Sequence, residues 1–119
     1  MSSVKTAMII GFGGMGIRHY KALQKLKIKV IAVCDTNLNR LENYAFLKNI
    51  KKFNNYKKLT NIKADLVCIA SNTQSRHQII KNFLIKSKVK NILIEKPLCI
   101  SFKQCKELEL LVKKYKKQK

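Results

Sequence analysis

Ile9-Ile10-Gly11-Phe12-Gly13-Gly14-Met15-Gly16 sets a G-x-G-x-x-G spacing directly behind an apolar run. That spacing belongs where a strand ends and a helix begins, and each glycine has a mechanical task there. Gly11 makes the tight turn, Gly13 lets the backbone approach a diphosphate closely, and Gly16 lets the helix pack against the strand. The first N–H groups of the helix then point at the phosphates. Phe12, Gly14 and Met15 complete the stretch expected to line the ligand. The same letters also suit a glycine-rich turn with no ligand, so the surroundings decide.

Outward from the glycines, short β-rich apolar runs alternate with segments of helical period, the pattern of β-α-β units and a parallel sheet buried on both faces. The strands are predicted over Val4 to Ile10, Ile28 to Cys34, Asp65 to Ala70 and Asn91 to Glu95, with a weaker fifth at Lys51 to Phe53. Gly14 to Leu26 carries Ile17, Tyr20, Leu23 and Leu26 on one helical stripe, and Ser75 to Ser87 carries Ile79, Ile80, Phe83 and Leu84. Ser75 and Gln78 read as a capping box for the second of these helices, and Ser101 and Gln104 repeat the pattern. The last helix lays Cys105, Leu108, Leu111, Val112 and Tyr115 on one face.

The second strand ends at Asp35, roughly 20 residues past the glycines, where a dinucleotide site carries its acidic residue. A carboxylate there accepts hydrogen bonds from the adenosine ribose and repels a 2'-phosphate, which favours NAD. Arg40 keeps NADP open, and it reads equally well as a solvated helix residue. Two further polar clusters, Ser71-Asn72-Thr73 and Glu95-Lys96-Pro97, follow predicted strands. Ligands of open parallel sheets bind beyond the carboxyl ends of the strands, so these ends are expected to converge on one crevice.

Glu95 and Lys96 are the candidates for chemistry, because oxidising an alcohol by hydride transfer also requires its hydroxyl proton to be held and removed. A partly desolvated lysine beside a cationic nicotinamide has a lowered pKa and can share in that transfer. Glu95 can orient the ammonium, and Pro97 stiffens the turn. A surface ion pair at a strand end would show the same three residues.

Taken together, Ile10 to Gly16, Val33-Cys34-Asp35, Asp65 to Ser71, His77 and Ile94-Glu95-Lys96-Pro97-Leu98 resemble the N-terminal domain of the Gfo/Idh/MocA oxidoreductases, the glucose-fructose oxidoreductase and inositol dehydrogenase family. The resemblance runs from about Val4 to the last helix. It implies a doubly wound α/β domain of Rossmann type, with strand order 3-2-1-4-5 and residues 1–119 as one NAD(P)-binding domain. It implies hydride transfer to or from a sugar, polyol or related carbohydrate, a catalytic Lys96 supported by Glu95, and Ser71, Asn72 and Thr73 along the diphosphate and nicotinamide ribose. His77 is expected to be structural or to support the site from behind, through local hydrogen bonding at a helix start. Asn72 departs from the family, where proline is common at that place. The family's second α/β domain, which holds the carbohydrate substrate, is expected to be absent from this chain, so turnover requires it from elsewhere. The alternative is a noncatalytic nucleotide-binding fragment.

The totals fit one domain: 119 residues, 46% hydrophobic and 27% charged. No apolar run approaches the roughly 20 residues of a membrane span, so a cytoplasmic protein with no membrane partner is expected. Twenty-six Lys and Arg against six Asp and Glu give a net charge of +20, which raises nucleic acid as a partner. Only Arg18, Arg40 and Arg76 are arginine, the side chain suited to bidentate phosphate and base contacts. The lysines are spread along the chain, as an AT-rich coding sequence would spread them, so most read as a solvated surface and Lys113 to Lys119 as the exception to test. Oligomeric state is not legible. Cys34, Cys68, Cys99 and Cys105 contain no C-x-x-C pair and are expected as reduced thiols, with no metal site.

Overall fold

Ala7-Met8-Ile9-Ile10 is apolar at every position because strand β1, Thr6–Ile10, lies in the middle of the sheet and is covered on both faces. The computed structural model describes residues 4–94 and 101–114; of Thr73 and Phe102 it describes the backbone alone. The remaining strands are β2 (Lys29–Cys34), β3 (Lys51–Phe53), β4 (Leu66–Ile69) and β5 (Asn91–Ile94). All pairings are parallel, in the order β3-β2-β1-β4-β5. The expected order is thus observed, and the short run at Lys51 is a strand.

The side chains of β1 alternate between two cores. Met8 and Ile10 join Ala32, Cys34, Val67 and Ile69 under Ile80 and Phe83 of helix α3, Thr73–Lys86, and Leu108 of helix α4, Phe102–Lys114. Ala7 and Ile9 join Val33 and Cys68 under Tyr20 and Leu23 of helix α1, Gly14–Lys25, and Leu41 of helix α2, Leu38–Glu42. Helices on both faces make the fold doubly wound. A large apolar side chain such as Phe83, 1% exposed, contributes about 1.5–3 kcal/mol by leaving water.

Three sequence expectations are corrected. Leu26 is 69% exposed, because α1 stops at Lys25 and the chain turns through Lys27 at φ 61°. Helix α3 begins at Thr73 rather than Ser75: the Asn72 side chain accepts the Ser75 N–H at 2.9 Å and is the true cap. Cys34 and Cys68 are free and buried as expected, whereas Cys105, only half-buried on α4, is disulfide-bonded. The second capping box holds in its first half, with Ser101 Oγ accepting the Gln104 N–H at 3.2 Å. Tyr115, Cys99 and the end of the lysine tail lie outside the described residues.

Candidate functional site

The register aligns the carboxyl ends of all five strands. Ile10 pairs with Cys34 and Ile69, Cys34 with Phe53, and Ile69 with Ile94. The residues that leave the sheet at this level include Gly11, Asp35, Asn54 and Ala70, tied by Gly11 N–H to the Cys34 carbonyl (2.8 Å), Ala70 N–H to the Ile10 carbonyl (2.7 Å) and Asp35 N–H to the Phe53 carbonyl (3.0 Å). They frame a crevice of about 470 Å³, within the size range of small-molecule sites.

The glycines divide into two kinds. Gly11 has φ 89°, and a Cβ there would lie 2.7 Å from the Ala70 carbonyl carbon and the Ser71 nitrogen. A Cβ on Gly16 would run into the carbonyl oxygen of Gly11. Both are therefore demanded by the fold itself. At Gly13 a Cβ would approach only Arg40 Nη1, at 3.7 Å, and at Gly14 nothing within 4 Å. The protein makes no steric demand at these two positions. Gly13 also leaves the start of α1 without a side-chain cap, and the first turn holds no acidic residue. Donor N–H groups and the positive end of the helix dipole thus face the approach to the crevice, as a diphosphate requires.

Asp35 is 8% exposed and closes the other side. Its Oδ2 accepts the Phe12 N–H at 2.9 Å and its Oδ1 accepts the Asn37 N–H at 2.9 Å. The carboxylate is fixed in place with lone pairs left for hydroxyl donors. Arg40 Nη1 stands 3.4 Å from Asp35 Oδ2, half exposed, so the guanidinium reaches across from Asp35 toward Gly13. Burial, with the Asp35 charge beside it, pushes the Cys34 thiol up to about 12 and keeps it protonated.

Ser71 and Asn72 also line the crevice. Ser71 Oγ is buried without a hydrogen-bond partner among the described residues, a hydroxyl that a polar ligand could satisfy. The Asn72 side chain is committed to capping α3. Gly14 and Met15 are exposed at the start of α1 and do not line the crevice; the Thr73 side chain lies outside the described residues. His77 is structural as expected: Nε2 lies 2.8 Å from Glu107 Oε1, and Lys81 Nζ lies 2.9 Å from the other oxygen, locking α3 to α4. Glu95 and Lys96 lie outside the described residues.

Sequence reading missed Thr36, Asn54, Asn55, Tyr56, Ser75 and Ile79, all of which line the crevice. The signal for Asn54 to Tyr56 was the weak strand at Lys51, since residues after any strand of such a sheet face the ligand. Burial holds the Tyr56 phenol above its ordinary pKa, and its oxygen accepts the Asn82 amide N–H at 3.1 Å.

The fold has solved counterparts. The chain is similar to myo-inositol 2-dehydrogenase of Lactobacillus plantarum (26% identity, TM-score 0.79, 95% of this chain and 34% of that one). It is also similar to myo-inositol dehydrogenase of Lactobacillus casei, solved with NAD(H) and myo-inositol (24%, 0.83, 93% and 34%), and to an oxidoreductase of Agrobacterium radiobacter, solved with NAD+, L-tartaric acid and magnesium (21%, 0.82, 97% and 34%). The chain therefore spans about a third of the length of these structures. No curated protein matches it. Residues 5–118 match the model of GFO_IDH_MocA, the oxidoreductase family with an NAD-binding Rossmann fold, and the chain belongs to that family.

Proposed function

We propose that this chain binds NAD between the glycine turn and Asp35, and serves an oxidoreductase that interconverts an alcohol and a carbonyl on a sugar, polyol or related compound. The observation that carries the reading is the contrast among the glycines of the motif: Gly11 and Gly16 are needed by the fold, whereas Gly13 lines the crevice with no steric demand from the protein. In this reading Gly13 and the first N–H groups of α1 hold the diphosphate, Asp35 accepts the adenosine ribose hydroxyls, and Ser71 offers its hydroxyl to the ligand. Asp35 favours NAD over NADP, and Arg40 is the group that would tolerate a 2'-phosphate.

Bound NAD supplies the hydride acceptor. Lys96 receives the substrate hydroxyl proton at Nζ, and Glu95 orients that amine. Two things support these roles: both residues match the family's glutamate-lysine-proline motif, and they directly follow Ile94, which is in register with Ile69 at the crevice level. The substrate class is supported by the myo-inositol 2-dehydrogenase among the similar structures.

Cofactor binding is tested by NADH fluorescence with the chain itself. The proton role is tested with Lys96→Met in the protein that carries the substrate pocket. NADH affinity should stay within about threefold while polyol-dependent NAD reduction falls at least about 100-fold, the size of a lost general base. Retained turnover would remove Lys96 from the chemistry.

A further inference from the structure

The parallel sheet has a second end, and its charge is unlike the first. Ahead of β4 and β5, the segments Thr60 to Asp65 and Lys86 to Lys90 bound a concavity of about 450 Å³ lined by Lys63, Lys86, Lys88 and Lys90. A neighbouring depression of about 320 Å³ shares Lys86 and Lys88. The one carboxylate on the concavity is Asp65, and it is already engaged: its Oδ2 accepts the Lys5 N–H at 2.9 Å and the Thr6 N–H at 3.2 Å, fastening the start of β1 beside β4. Among the described residues, Lys63, Lys86 and Lys88 enter no ion pair. Lys86 has a local use, since it closes the last turn of α3 and complements the negative end of that helix. Lys90 lends its charge to the Asp65 carboxylate, whereas Lys63 and Lys88 have no such use among the described residues.

Four ammonium groups brought from two distant segments onto one hollow repel each other, and a bound polyanion relieves that repulsion. We propose that this hollow binds a compact, multiply charged soluble phosphate compound, at the end of the sheet opposite the dinucleotide crevice. Its lining separates this ligand from nucleic acid. Among the described residues the hollow has no arginine to read a base edge and no aromatic ring to stack on a base, and its size is that of a small-molecule site rather than an extended groove. Lysines act here as point charges on flexible stems, which suits a ligand recognised by charge density. Because the ligand would prefer the folded chain, it should also raise stability.

The probe is inorganic tripolyphosphate, titrated into the full 119-residue chain by calorimetry at about 0.15 M salt, where the Debye length is about 8 Å, with its site mapped by amide chemical shifts. Shifts should centre on residues 60–65 and 86–90. The triple variant Lys63→Gln/Lys88→Gln/Lys90→Gln should lower affinity about tenfold or more. A control with the same charge change on α1 and beyond, Lys21→Gln/Lys25→Gln/Lys48→Gln, should lower it less than about threefold, since more distant exposed charges are largely screened. The arginine triple at 63, 88 and 90 should keep the binding. Equal losses in both glutamine triples would overturn the proposal in favour of diffuse charge. Shifts confined to Gly11–Gly16 would overturn it in favour of the dinucleotide site. Tighter binding of a short DNA duplex, lost in the first triple, would overturn it in favour of nucleic acid.

Discussion

The Asp35 carboxylate accepts the Phe12 N–H at 2.9 Å, so the acidic end of β2 is joined directly to the glycine turn after β1. The two parts of the sequence signature, spaced roughly 20 residues apart, are one hydrogen-bonded unit. This link gives Asp35 a structural role beside the binding role proposed for it. Asp35→Ala leaves the buried Phe12 N–H and the Asn37 N–H without their acceptor and should cost about 1–3 kcal/mol of stability. It should also weaken NADH more than NADPH. Urea unfolding and paired fluorescence titrations measure the two effects, and equal losses of both nucleotides would undo the preference for NAD.

The glycines should separate by stability. Gly16→Ala forces the first turn of α1 away from the Gly11 carbonyl and should cost about 1–3 kcal/mol, as overpacking does. Gly14→Ala, in open space within the helix, should be neutral or stabilising by up to about 1 kcal/mol. A larger urea-midpoint loss for Gly14→Ala than for Gly16→Ala would contradict this assignment.

Acid should loosen the chain at two places. Backbone N–H groups of Lys5 and Thr6 hold the Asp65 carboxyl below its ordinary pKa, and hydrogen bonds from Lys81 and His77 do the same for Glu107. Depressed folded-state values mean stability that is present above the unfolded carboxylate pKa and lost as pH falls through the folded values. The urea midpoint should therefore decline below the ordinary carboxylate range, and Asp65→Asn/Glu107→Gln should flatten that decline. An unchanged acid limb in the double variant would show that neither pair carries it.

Cys34 should be unreactive while the chain is folded. With its thiol pushed up to about 12 and buried in β2, iodoacetamide at pH 8 should leave it unmodified until urea unfolds the protein. The raised value also sets a sign: the stabilisation is complete below the unfolded thiol pKa near 9 and is lost as pH climbs from there toward 12. Fast alkylation of native protein, located at Cys34 by mass spectrometry, would contradict the burial.

Much of this was legible in the sequence because the central strands are buried on both faces. Uninterrupted apolar runs such as Ala7 to Ile10 and Val67 to Ile69 have few other uses, and the glycines mark where the first one ends. The misses occur where local signals compete. Asn72 and Ser75 both sit ahead of the same apolar stripe with capping side chains, and Asn72, the first, takes the helix start. Helix α2 and strand β3 are too short for a period to show, so the wall formed by Asn54, Asn55 and Tyr56 went unread although it faces Asp35. Leu26 fits the α1 stripe by spacing, but the left-handed Lys27 turns the chain away just after it. Among the chemical candidates, Gly13 and Asp35, picked out by spacing, both line the crevice, because a strand end and a hydrogen bond fix their positions.

The most direct measurement is an NADH fluorescence titration of the chain beside Gly13→Leu, with thermal unfolding of both. A Cβ at Gly13 meets only the flexible Arg40 side chain, at an ordinary contact distance of 3.7 Å. The variant should therefore melt within a few degrees of the parent while its NADH response is lost. Saturable NADH binding of equal strength in the two proteins would contradict the placement of the dinucleotide over the glycine turn.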